Sequence, residues 1–357
     1  CGVCEVVDPS ITLVLDPSKQ IWEPNGPGGK DAAGVCPAVE VDYAGLHDYL
    51  FPGATVGPYG VVDAVFLAQS TDHDRNVKAS SGGLIKEVLR HLIATGRVDG
   101  AIALDHVEGI DFAARLITDP DDVDNLPGSI YHNLKQRSAL DLIIENEGRF
   151  VLVAIPCQLE GIYAYIRHHA PELRERITLT IGLLCGWQYS HHSINAMGEY
   201  IGFDPERIED ISFRGGGPVG KLTVTTDDGE VHTASRRVDF SYQVAFDRHF
   251  NTPRCHVCVN HSNFLADLVV GDAWLPSTVF TKTGISLVTT RTKDATAIVE
   301  DLAAAGACVV EQVGTEEIRE SQTDRVVFGE FAYAYADYLE EIGAHVPRLI
   351  GPNIEAG

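Results

Sequence analysis

From about residue 60, short unbroken apolar runs alternate with stretches of helical period. VVDAVFLAQS (61–70) predicts a strand, and SSGGLIKEVLRHLIATG (80–96) predicts a glycine turn opening into a helix. Leu84, Ile85, Val88, Leu89, Leu92 and Ile93 recur at helical spacing and form one broad apolar face, with Gly96 as the stop. DGAIAL (99–104) then predicts a short buried strand, completing a β-α-β unit. The pattern returns in RFVLVAIPCQ (149–158, strand into turn), LEGIYAYIRHH (159–169, helix), RITLTIGLLCGW (176–187, strand) and SHHSINAMGEYIG (190–202, helix). LKQRSALDLII (134–144) reads as a further helix.

Between 211 and 235 the period changes to strict alternation, and two strands meet at Asp228-Gly229, a hairpin signal. The strands LADLVVGD (265–272) and ISLVTTRT (285–292) follow, then the helix KDATAIVEDLAAAG (293–306), the strand CVVEQV (308–313) and a helical tail over 329–343. The pattern predicts an α/β fold: a mixed sheet flanked by helices, with an inserted antiparallel hairpin region. Residues 1–52 differ in texture. Proline and glycine dominate there, no long period is present, and such a segment needs a staple to hold its shape. Three regions are therefore expected: an arm at 1–52, a core at 53–290 and a C-terminal α/β and helical segment at 291–357. There is no internal repeat and no low-complexity segment.

A chain of 357 residues, 45% hydrophobic and 22% charged, has the bulk make-up of a soluble globular protein. It has no run of 18 apolar residues and no signal peptide, so a cytoplasmic protein without a membrane span is expected. It opens on Cys1 rather than methionine, and residues ahead of Cys1 are expected. With 51 acidic residues against 27 basic ones, the net charge of −24 argues against nucleic acid as partner. It suits solubility, or a basic protein partner.

The cysteines carry the chemistry. Cys157 and Cys185 each lie at a strand end, and carboxyl ends of strands gather at one edge of an open α/β sheet. Cys255 and Cys258 form a C-x-x-C pair on the loop before another strand, flanked by Arg254 and enclosing His256, which suit an exposed loop. Four thiols are the usual complement of a [4Fe–4S] cube. Zinc, in a non-redox α/β binding protein, is the alternative, but it favours paired C-x-x-C loops on small ribbons. Cys1-Gly-Val-Cys4 resembles the inside of the ferredoxin run C-x-x-C-x-x-C-x-x-x-C-P. An upstream cysteine would then precede Cys1, and position 8, where a further cysteine is expected, is Asp8 followed by Pro9. Cys36 supplies a third thiol, so a second cluster would use Cys1, Cys4, Cys36 and either a missing cysteine or Asp8. The arm is thus read as a ferredoxin-like iron–sulfur arm. Cys308 reads as structural.

S-S-G-G-L-I, I-P-C-Q-L-E-G, L-L-C-G, C-H-V-C-V-N and L-A-D-L-V-V-G-D-A-W together resemble the coenzyme F420 hydrogenase/dehydrogenase beta subunit family, over roughly residues 55–290. That family includes the F420-reducing hydrogenase beta subunit and 7-hydroxymethyl chlorophyll a reductase. The resemblance implies FAD in an α/β domain, with a [4Fe–4S] cluster on Cys157, Cys185, Cys255 and Cys258 beside it, and an arm like that of the chlorophyll-reductase branch. Electrons would pass between FAD and the clusters, coupling reduced coenzyme F420 or another two-electron substrate to a one-electron carrier such as ferredoxin, in some members as the input subunit of a larger oxidoreductase complex.

For the flavin pyrophosphate, Ser80-Ser81-Gly82-Gly83 opens a helix whose N–H groups and dipole attract phosphate; the plain alternative is Ser81 as an ordinary N-cap. The resemblance also places Tyr131, His132 and Asn133 in a flavin-facing loop, the plain alternative being a surface loop before the next helix; Gln158, after Cys157, is a candidate to face the isoalloxazine, and Asp272, at a strand end, to bond the ribityl chain or hold a loop. Arg214 can meet an anionic substrate or pair with an acid. His191 and His192 read as the solvated start of a helix rather than as catalytic acids.

Overall fold

The computed structural model describes residues 1–217, 219–247 and 249–351. The apolar runs become an eight-stranded sheet in the order Cys308–Val313, Ala64–Ser70, Ser286–Thr290, Leu268–Asp272, Ile177–Leu183, Phe150–Ala154, Gly100–Glu108, Asp111–Ile117. The four strands from Leu268–Asp272 through Gly100–Glu108 are mutually parallel, and both edges are closed by antiparallel strands. Parallel strands are covered on both faces, which is why Phe150–Ala154 is almost uniformly apolar and buried.

Alternate residues of the sheet serve opposite faces. Ile102 and Leu152 pack under helices Arg137–Glu145 and Pro156–His169. Ala101, Val151 and Ile181 pack under Leu84–Ala94 and Lys293–Ala304. The segment after 291 is therefore part of the core sheet and its cover. The tail helix begins earlier than its pattern suggests, at Thr323, and runs to Glu341.

The alternating region forms a separate three-stranded antiparallel sheet, with Lys221–Thr226 between Ile208–Ser212 and Val231–Ser235. Its turn falls at the expected place: Thr225 pairs with Val231, and Gly229 adopts a φ of 82° that glycine tolerates freely. Helices His192–Ile201 and Phe240–Asp247 pack against this sheet.

The arm is less irregular than its composition suggests. It holds a short helix Cys4–Val7, a hairpin of Thr12–Leu15 with Trp22–Asn25, and a strand Glu40–Asp42 that pairs in parallel with Arg348–Ile350. Val3, Val35, Val41 and Tyr43 share a core cluster with Leu159, Ile162 and Ile166 of helix Pro156–His169. Gly161 makes this approach possible, because a Cβ there would come within 3.0 Å of Cys1 Sγ and 3.3 Å of the Val35 carbonyl. Among the described residues, no helix is long and apolar enough to cross a membrane.

Candidate functional site

Strands Ala64–Ser70, Phe150–Ala154, Ile177–Leu183 and Leu268–Asp272 all end at one edge of the sheet, as their shared direction requires. A cavity of about 940 Å³ opens there, walled by Ser80, Tyr131, Gln158, Cys185, Arg214 and Asp272 among others. Its size is at the upper end of that usual for a cofactor site.

Cys157 starts the helix that follows one of these strands, Cys185 lies two residues beyond another, and Cys255 and Cys258 sit on the turn at Pro253–Val257. Cys185 senses Cys255, Cys157 and Cys258, and Cys255 is within range of Cys157 and of Cys258. Burial pushes the Cys157 thiol up to about 12, raises Cys185 well above its ordinary value and raises Cys258, because a thiolate loses hydration there. Cys255 Sγ takes the Gln188 N–H at 3.3 Å and lies 3.1 Å from Thr252 Oγ1.

None of the eight cysteines is in a disulfide. No group of three or more His, Cys, Asp or Glu among the described residues is drawn together tightly enough for a single metal ion. Four thiolates on one zinc, each about 2.3 Å from it, would lie within about 4 Å of one another. A cube takes one thiolate at each iron and accepts a wider set.

Ser80-Ser81-Gly82-Gly83 lies where the helix meets the cavity, with its polar groups already engaged. Ser80 Oγ accepts the Ser129 N–H at 2.7 Å, and Ser81 Oγ donates towards the carbonyls of Gly271 and Ile285, each at 3.2 Å. Ser81 is thus not the cap; Gly83 occupies the N-cap position, at φ 81°, with no side-chain cap. The first N–H groups of the helix have no side-chain acceptor, and Leu84, Ile85 and Lys86 line the cavity. Gly82 packs too tightly against Ala68 and Ser286 to carry a side chain, and its atoms are not in the wall.

Arg214, 4% exposed, is the buried cation of the cavity. It leaves the strand Ile208–Ser212 just before three glycines at positive φ; Pro218, in the same run, lies outside the described residues. Its guanidinium reaches both Asp272 carboxylate oxygens, at 2.9 and 3.1 Å, the Tyr131 hydroxyl at 3.1 Å and the Ser80 carbonyl. Arg214 Nε has no hydrogen-bond partner among the described residues.

Gln158 and Tyr131 line the wall, and the Tyr131 ring packs against Phe213 and Phe246. His132 also borders the wall but is fully buried. Its Nε2 lies 2.7 Å from the Ile110 carbonyl, and burial lowers its pKa to about 3. Asn133 is outside the wall: it accepts from the Trp22 N–H at 2.8 Å and donates to Gln188 at 3.3 Å.

The second group of thiols lies on the arm. Cys4 is buried with Ile11 and Ala32 and raised, first by burial and then by Cys36. Cys1 Sγ faces Gly161, one helical turn beyond Cys157. Asp8 Oδ1 accepts from both the N–H and the hydroxyl of Ser10, at 2.9 and 2.6 Å, and these bonds hold its carboxyl below the usual range. Cys308 is a buried core thiol.

Two expectations change. Both histidines stand at the start of helix His192–Ile201, but His191 is buried rather than solvated, while His192 is partly exposed. His191 is 6% exposed, with Nε2 2.8 Å from the Asn133 carbonyl, and His192 Nε2 lies 3.0 Å from the Ser18 carbonyl, so both clasp neighbouring loops. Arg254 does not face solvent either: it turns inward to the Pro37 carbonyl at 2.8 Å and to Glu160 at 3.4 Å, and His256 lies against Trp187. Glu160, Tyr43 and Asn260 were not expected from the sequence. The signal for Glu160 was its spacing of three from Cys157 on a helix, which puts both on one face.

Residues 65–141 match the N-terminal part, and residues 148–316 the C-terminal part, of the family described as coenzyme F420 hydrogenase/dehydrogenase, beta subunit. The chain is 26% identical over 304 residues to a subunit of the F420H2 dehydrogenase of Methanosarcina mazei, covering 80% of this chain and 79% of that one. It is 25% identical over 272 residues to coenzyme F420 hydrogenase subunit beta of Methanothermobacter thermautotrophicus, covering 73% and 87%. A chain of the F420-reducing [NiFe] hydrogenase complex from Methanosarcina barkeri, solved in a xenon derivatization study, shares the fold. Its TM-score is 0.63 at 19% identity, over 82% of this chain and 99% of that one. With both parts of the family description matched in order, the chain belongs to the coenzyme F420 hydrogenase/dehydrogenase beta subunit family.

Proposed function

We propose that this chain is an iron–sulfur flavoprotein oxidoreductase that exchanges electrons between a two-electron partner and a one-electron carrier. The observation that carries the reading is that Cys185, within electrostatic range of Cys157, Cys255 and Cys258, also lines the cofactor-sized cavity. Cys157, Cys185, Cys255 and Cys258 would hold a [4Fe–4S] cube. In the ferredoxin-like arm, Cys1, Cys4 and Cys36 would hold a second, with Asp8 or a thiol ahead of Cys1 as fourth ligand. FAD would fill the cavity, its pyrophosphate at Ser80–Gly83. A flavin takes electrons in pairs and a cube takes them singly, so together they supply the conversion between the two.

The residues of the chain support that role by position and charge. The uncapped helix N-terminus at Gly83 and the guanidinium of Arg214 favour phosphate. Arg214 also fixes Tyr131 and Asp272 at the wall. Gln158, next to Cys157, joins thiol site and cavity. The similarity to F420H2 dehydrogenase and F420 hydrogenase subunits favours coenzyme F420 as the two-electron partner and other oxidoreductase subunits as neighbours; ferredoxin is the alternative carrier.

Anaerobic reconstitution tests the reading. The expected product is a brown protein with acid-releasable flavin and about four or eight irons per chain, whose flavin is bleached by reduced F420. Bleaching by reduced ferredoxin alone would assign the other direction. A colourless protein holding stoichiometric zinc would overturn the reading.

A further inference from the structure

Beneath the four thiols lies a buried polar network that the proposed electron path does not use. Glu160 is 2% exposed and one helical turn from Cys157. Its Oε1 accepts from the Tyr43 hydroxyl at 2.6 Å and from Asn260 Nδ2 at 2.7 Å, and its Oε2 faces Arg254 Nη2 at 3.4 Å. Asn260 is fully buried, and its backbone N–H points to Cys258. Arg254 spans two regions: its Nε donates to the carbonyl of Pro37, beside Cys36, while its charge acts on Cys258 and Cys157. Its Nη1 is buried with no hydrogen-bond partner among the described residues.

A buried ion pair is not a strong stabiliser. Its desolvation cost often exceeds its attraction, and apolar residues of similar volume serve stability as well or better. Side chains from the arm and the cysteine loop nevertheless converge to satisfy this one carboxylate on the helix. Placed within electrostatic range of the thiols in a medium of low polarity, such charges act strongly on any electron added there.

We infer that Glu160 and Arg254 are a fixed charge pair that sets the reduction potential of the centre on Cys157, Cys185, Cys255 and Cys258, with Tyr43 and Asn260 as positioning residues. The inference rests on the proposed function. Reduction adds negative charge, so the Glu160 carboxylate opposes it and the Arg254 guanidinium favours it. Through Pro37, Arg254 also makes the setting depend on how the arm is seated.

The test is an EPR-monitored redox titration of the reconstituted protein. Glu160→Gln should move the midpoint of this centre upward and Arg254→Gln should move it downward, while Arg254→Lys, which keeps the charge, stays nearer the wild type. The double variant Glu160→Gln/Arg254→Gln should fall between the two single ones. A purely structural role would lose the centre or shift both single variants the same way. Unchanged midpoints, shifts of one sign, or loss of the centre in both Glu160→Gln and Arg254→Lys would overturn the inference. A wild-type protein that takes up no cluster would instead overturn the proposed function, so the two failures are distinguishable.

Discussion

The two groups of thiols are built in opposite ways. Cys157 opens a helix packed on the core and Cys185 follows a strand end of the eight-stranded sheet, while Cys255 and Cys258 stand on the turn at Pro253–Val257. Cys4 opens a one-turn helix, Cys1 and Cys36 lie outside any helix or strand, and the apolar cluster around Cys4 is only Ile11 and Ala32. The first group rests on the core of the fold. The second borrows its order from helix Pro156–His169. The difference teaches that the core site should persist when the arm is disturbed, whereas the arm depends on the core.

The largest effect expected from breaking the core side is that of Arg214→Ala. It would strand the Asp272 carboxylate and release Tyr131 and the Ser80 loop, costing about 3 kcal/mol or more. Denaturant unfolding should show that loss, and flavin retention should fall with it, while the arm keeps its seat.

Next comes acid sensitivity. The folded pKa of His132 is about 3 against 6.5 for the free group. As pH falls, the unfolded chain takes up this proton first. The stability contributed by the neutral imidazole is therefore complete above about pH 6.5 and is lost as pH falls towards 3. Between pH 6.5 and 5 the difference amounts to about 2 kcal/mol. Unfolding curves at the two pH values should show at least that loss, since buried His261 is lowered to about 4 as well, and His132→Phe should remove the His132 share.

Gly161→Ala separates the two regions. Alanine favours a helix by about 0.5–1 kcal/mol, but here the methyl group would press on Cys1 and the Val35 backbone, and overpacking costs about 1–3 kcal/mol. The arm should loosen, read as faster proteolysis within residues 1–42, with the core iron unchanged. Smallest of all is Asp8→Ala. Because Oδ1 is committed to Ser10, the iron content of the arm should stay the same; loss of that iron would make Asp8 a ligand.

The sheet was readable because strands buried on both faces must be continuously apolar, and Cys157, Cys185, Cys255 and Cys258 stood out by their strand-end and C-x-x-C settings. The strand Asp111–Ile117 was missed, since as an edge strand it carries Asp111 and Arg115. The burial of His191 was hidden for a tertiary reason: the carbonyl it meets comes from residue 133, far away in sequence. Glu160 was hidden in the same way, because a glutamate on a helix ordinarily faces water and its three partners lie on other elements.

The most direct test is the iron and acid-labile sulfide content of Cys185→Ser beside the wild type, both reconstituted anaerobically. The account predicts a loss of about four irons per chain, with the remaining iron, on the arm, untouched. An iron content equal to that of the wild type would contradict it.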